Sequence, residues 1–200
     1  SAHDPEYMWV LAEKKQSITG GLNGMRFVRF VDKLNNVLFW LVAIAMIGMT
    51  LSVTLQVLVR FVFTAFNAKI AAPWTEELAR YLMIWSIFIG GAIAARKSKL
   101  IAVEALVQAL PALPGKTLKF IAHLLSLIFY AIIFVIGWEW AKFGLTETAP
   151  VMRFPMIYVY SAMSVGAGLT ILNTIALLVE VFITKTDIRD VAIDEEVEAV

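Results

Sequence analysis

"LNNVLFWLVAIAMIGMTLSVTLQVLV" (Leu34–Val59) runs for 26 residues without a charged side chain. A helix that crosses the hydrocarbon core of a bilayer needs roughly 20 apolar residues. This stretch alone therefore reaches across, even when tilted. Three further segments have the same character, and the spans predicted are 34–59, 78–95, 118–140 and 156–183. Hydrophobic residues make up 60% of the 200 and only 16% are charged; the mean hydropathy is +0.78. A soluble domain of this length could not hide so much apolar surface, so lipid is the solvent for most of it. The expected fold is an all-α integral membrane protein with four transmembrane helices.

Composition also removes whole classes of function. Cysteine is absent, which excludes disulfides, iron–sulfur clusters and thiol catalysis. With a net charge of +1 and no basic face apart from the membrane flanks, a nucleic-acid partner is not expected. No short apolar run ends in a small-residue cleavage site, so no removable signal peptide is predicted.

The connecting segments complete the layout. Residues 1–33 are polar to amphipathic; "ITGGLNG" (Ile18–Gly24) reads as a flexible break, and "MRFVRFVDKL" (Met25–Leu34) as a short amphipathic helix along the lipid headgroups. "LIAVEALVQALPALPGK" (Leu100–Lys116) is too interrupted to span, and its spacing predicts an interfacial helix over about residues 99–110, closed by Pro111 and Pro114. Residues 34–185 thus form the membrane domain, and 186–200 an acidic, disordered tail at which the chain is expected to end by itself. Placing both termini and the Arg96–Lys119 loop inside collects twelve of the 17 Lys and Arg residues on the cytoplasmic side. Arg60, Lys69, Arg80, Lys142 and Arg153 remain on or near the outer side.

Within "AAPWTEELARYLMIW" (Ala71–Trp85), Glu76, Glu77 and Arg80 stand at the mouth of the second span. Glu76 and Arg80 are four apart in the favourable acid-first order, while Glu77 stacks over Tyr81. A charge at the bilayer centre costs about 2.5–3.5 kcal/mol on insertion scales, so these groups belong at the interface and in pairs. They read either as an ionic clamp against Arg60 or another subunit, or as an acidic helix start favoured by the dipole. Ser86, Gly90 and Ala94 form one small-residue ladder, with Gly91 and Ala95 beside it. Ala162, Gly166, Ser164 and Gly168 repeat the device in the fourth span. Small residues let helices approach closely in lipid, within this chain or against another protein. His123 is the one histidine in a span and could be a haem ligand, but a hydrogen bond to a neighbouring carbonyl is the plainer reading. No polar cluster at mid-membrane depth offers a substrate or ion site, and neither a metal-ligand spacing nor a nucleophile paired with a base is present.

"PWTEELARYLMIWSIFIGGAIAARKSKLIAVEAL" (Pro73–Leu106) resembles the signature of the small membrane subunit of tripartite ATP-independent periplasmic (TRAP) transporters. Trp74, Glu76, Glu77, Arg80, Tyr81, Trp85, the Gly90–Gly91–Ala92 run, Arg96 and the acidic Glu104 carry the resemblance, with Arg60 closing the first span and Pro155 and Tyr158 opening the last; Arg96, Lys99 and Glu104 are assigned to the amphipathic loop helix. Leu100 stands where the family often has histidine, so no role is carried to that position. The resemblance implies a non-enzymatic subunit of the bacterial inner membrane without a cofactor. Its implied partners are a large sodium-coupled elevator subunit, a periplasmic binding protein that delivers an organic acid, and membrane lipids. A C4-dicarboxylate is the favoured cargo, because a separate and rather long small subunit fits that branch. The alternative from another class is a haem- or quinone-bearing anchor of a respiratory complex, resting on four spans and His123; a self-contained small transporter is disfavoured by the missing polar path.

Overall fold

The fold is described from a computed structural model over residues 5–63, 73–96 and 111–184. It is all-helical there: α1 (Pro5–Val57) continues into a π-helical segment (Leu58–Phe63), and α2 (Pro73–Arg96), α3 (Ala112–Phe143) and α4 (Ile157–Thr184) follow. Four helices are long and apolar enough to cross a membrane. In lipid the backbone must satisfy its own hydrogen bonds, so apolar runs of this length fold as helices whatever their intrinsic propensity. The hydroxyls they contain do the same. Thr50, Ser86, Thr170 and Thr174 each donate to the carbonyl four residues back, at 2.7–2.9 Å.

Two sequence expectations about helix limits need correcting. The break expected at Ile18–Gly24 is absent, because α1 runs unbroken from Pro5 to Val57; Met25–Leu34 is therefore part of one long rod, not a separate helix. A glycine in a helix interior costs about 1 kcal/mol relative to alanine, and at Gly24 the packing gives a reason for it. A Cβ there would collide with the Ile183 side chain and lie 3.4 Å from Val179 Cγ1 of α4. Pro114 does not close a preceding helix but lies in the first turn of α3, whose N-cap is Pro111. First-turn amides have no intrahelical acceptor, so proline loses nothing there. The proposed interfacial helix over 99–110, including Lys99 and Glu104, lies outside the described residues, as does the 186–200 tail.

The helices do not form a symmetrical bundle. α4 is the hub, packed against α1, α2 and α3, and α1 also packs along α2. Among the described residues, no Cα of α3 comes within 8 Å of α1 or α2. Small residues make the crossings. A Cβ on Gly166 of α4 would stand 2.6 Å from Phe88 Cβ and 3.0 Å from its carbonyl oxygen, so α2 and α4 touch through backbone. On α3 the same position is Gly137, where a Cβ would meet Ser164 N at 2.9 Å, and Ser164 Oγ donates to Phe134 O at 3.0 Å. Consistent with the hub, ten residues of α4 are buried, from Val159 to Leu177, whereas α3 presents Leu125, Ile128, Phe129, Ile132 and Val135 outward.

Candidate functional site

The polar side chains gather at two junctions, one at each end of α2. At the first, Glu76 accepts from Arg80 at 3.0 Å and from Gln56 Nε2 of α1 at 3.3 Å. Among the described residues the α1 partner of Glu76 is thus Gln56; Arg60 lies 5.7 Å from the centroid of its neighbour Phe61. Arg80 and Glu76 are both about 60% exposed, so their pair contributes only a few tenths of a kcal/mol, roughly. Glu77, one position on, is buried and does more. Its Oε1 accepts from the Tyr81 hydroxyl at 2.6 Å, and its Oε2 from the amides of Met152 at 2.8 Å and Val151 at 3.2 Å. A carboxylate receiving backbone amides is a strong, charge-assisted anchor. It fixes the α3–α4 connection to α2.

That connection is itself folded. Ala149 N donates to Phe154 O at 2.9 Å, Arg153 N to Ala149 O at 3.0 Å and Met156 N to Glu147 O at 3.0 Å, and Thr148 bridges Pro155. Arg153 takes a positive φ of 55°, a left-handed conformation uncommon outside glycine and asparagine. The ring of Tyr81 stacks edge-on against Phe154 at 5.4 Å, and the Trp85 indole donates to Tyr158 O at 3.0 Å. Trp74 is 42% exposed at the start of α2.

The second junction was not legible as a site. Arg96 closes α2 with Nε donating to Asp32 of α1 at 2.9 Å and a terminal nitrogen to Glu180 of α4 at 2.6 Å. Its side chain is only 12% exposed. The sequence placed Arg96 with the loop helix; instead it joins three spans. One turn deeper, the amides of Asn35 and Asn173 exchange hydrogen bonds of 2.7 and 3.0 Å, and Asn173 Nδ2 also donates to Ala92 O at 2.7 Å. Both amides are buried. The available signal was Asn35 and Arg96 near span ends and one asparagine, Asn173, inside the last span, but nothing local pairs residues 138 positions apart.

The small-residue ladders divide. Ala162, Ser164 and Gly166 are buried in the hub, and a Cβ on Gly168 would lie 3.4 Å from Phe134 Cε2. Gly90 and Gly91 face open space among the described residues, where a Cβ on either meets nothing within 4 Å. Ser86 and Ala94 on the same ladder are half-buried. His123 Nδ1 bonds the Lys119 carbonyl at 2.7 Å, the plainer of its two readings.

The family model described as "Tripartite ATP-independent periplasmic transporters, DctQ component" matches residues 49–184. The chain belongs to this family. A protein of Haemophilus influenzae that carries the name of a TRAP transporter small permease is 34% identical over 123 residues, covering 62% of this chain and 73% of its own length. As a DctQ component with four membrane-crossing helices, the chain is a multi-pass protein of the bacterial inner membrane and part of a transporter. The DctQ match takes in Glu76, Glu77, Arg80, Arg96, Asn173 and Glu180 but begins after Asp32 and Asn35. Both junctions of this DctQ component therefore include α1 positions, two of them upstream of the matched region.

Proposed function

We propose that this DctQ component is the fixed, non-catalytic small subunit that braces a large sodium-coupled elevator subunit. The complex takes up an organic acid, a C4-dicarboxylate as the favoured class, from a periplasmic binding protein. Both termini are cytoplasmic in this reading, with the Glu76 junction at the outer face. The observation that carries it is how the interior polar groups are used. Asn35, Asn173, Ser164, Thr170 and Thr174 bond to one another or to backbone, so the hub is held together by the groups a substrate site would require. Three helices locked by Arg96 at one end and a loop anchored by Glu77 at the other suit a part that stays still while its neighbour moves.

The open Gly90–Gly91 side of α2 and the outward apolar face of α3 are the surfaces this reading gives to the large subunit and to lipid. Glu76, Glu77 and Arg80 act as a structural clamp there. The decisive experiment is reconstitution. The chain should co-purify with a much larger membrane protein, and liposomes holding this chain alone should show no sodium-dependent uptake; uptake by the chain alone would overturn the reading.

A further inference from the structure

α2 and α3 both lie against α4 without meeting, and the space between them is a groove of about 440 Å³. Val159 and Met163 of α4 form its floor, with Ile84 and Phe88 of α2 and Trp140 of α3 at its sides. Its charged side chains, Glu77 and Arg80, stand together at one end. From Glu77 to Phe88 the groove follows α2 for 11 residues, ~16 Å at the helical rise. That is one leaflet's share of a hydrocarbon core roughly 30 Å thick.

We propose that this groove is a lipid site that holds one acyl chain of a zwitterionic phospholipid, its phosphate at Arg80. Water is a poor occupant of the stretch walled by Ile84, Phe88, Val159 and Met163, where apolar side chains give it no partners, and a void there would forfeit dispersion contacts. The groove is polar at one end and greasy along one leaflet, which is the outline of a membrane lipid. Its volume falls in the range of ligand sites, about 300–1,000 Å³. Arg80 has five donors in a fork suited to phosphate, and its ion pair with Glu76 engages one terminal nitrogen. The carboxylates of Glu76 and Glu77 beside it disfavour a lipid with excess negative charge and complement an ammonium headgroup. An apolar side chain of another subunit would match the walls but not the guanidinium at their mouth.

The test is native mass spectrometry of the full chain released from bacterial membranes in mild detergent. It is paired with photolabelling in vesicles of phosphatidylethanolamine that carries a diazirine in its acyl chain. The wild type should retain a zwitterionic phospholipid, and the label should fall on peptides containing Ile84 or Met163. Ile84→Trp, which fills the groove, should remove the retained lipid, and Arg80→Gln should lower retention and erase the preference for phosphatidylethanolamine over diacylglycerol. If Ile84→Trp does not fold, the wild-type labelling map decides alone. Label spread evenly over the lipid-facing surface of α1 and α3 would overturn the proposal. So would unchanged retention in a folded Ile84→Trp protein. Loss of the large subunit from that variant, with no lipid held by the wild type, would assign the groove to a partner helix instead.

Discussion

At Asn173 a single amide makes three hydrogen bonds to two other helices. Removing it by Asn173→Ala leaves Asn35 buried without its partner, and the protein should lose about 1–2 kcal/mol of stability in detergent. Thermal melts of Asn35→Leu, Asn173→Leu and the double variant form a cycle, and the double should lose less than the sum of the singles; strict additivity would show that the amides do not act as a pair. Arg96 is the other residue on which three helices converge. Arg96→Gln should cost about 2 kcal/mol, below the roughly 3–5 of a fully buried pair because Asp32 and Glu180 are partly exposed. Arg96→Lys should not restore it, since one ammonium cannot bridge two carboxylates as the planar fork does. A melting temperature for Arg96→Lys equal to wild type would refute the two-armed clamp. None of these partnerships could be read locally. Asp32, Asn35, Asn173 and Glu180 are ordinary polar residues until three helices place them side by side.

Between elements, the glycines decide which helices touch. Gly166→Val sets a side chain against the backbone of Phe88 and should cost about 1–3 kcal/mol or more, because two helix backbones must separate. Gly90→Ala and Gly91→Ala meet open space among the described residues, so the isolated protein should melt no lower than wild type, and somewhat higher from the helix preference of alanine. In the proposed complex the same two changes should weaken co-purification with the large subunit; normal recovery would remove that face from the interface. Glu77 makes a third case. Glu77→Gln removes the charge that receives the Val151 and Met152 amides, and hydrogen exchange at those two amides should rise while the α2 core stays protected. The sequence showed small ladders on α2 and α4 alike, with within-chain packing and docking both open. Spacing gives a face but not its neighbour, and only the crossing at Gly166 separates the buried ladder from the open one.

On the scale of the whole molecule, a hub with one peripheral helix leaves a broad apolar exterior, which suits a subunit built to stand in lipid beside another protein. In the proposed role, Arg80→Ala should weaken assembly or uptake without altering substrate preference. A changed spectrum in competition assays would place Arg80 at a binding site instead. The number of helices long and apolar enough to cross a membrane followed from composition and from the length of each nearly uncharged run, because a bilayer accepts few other solutions. Membership of the DctQ family was legible for a related reason, since its signature is a run of residues close in sequence, from Trp74 to Arg96. The continuity of α1 through Gly24, the Asn35–Asn173 pair, the three-helix hold of Arg96 and the gap between α2 and α3 were decided by tertiary structure alone. Each depends on contacts between segments far apart in the chain, and lipid, which solvates every apolar face equally well, leaves no periodic mark in the sequence to say which face meets which.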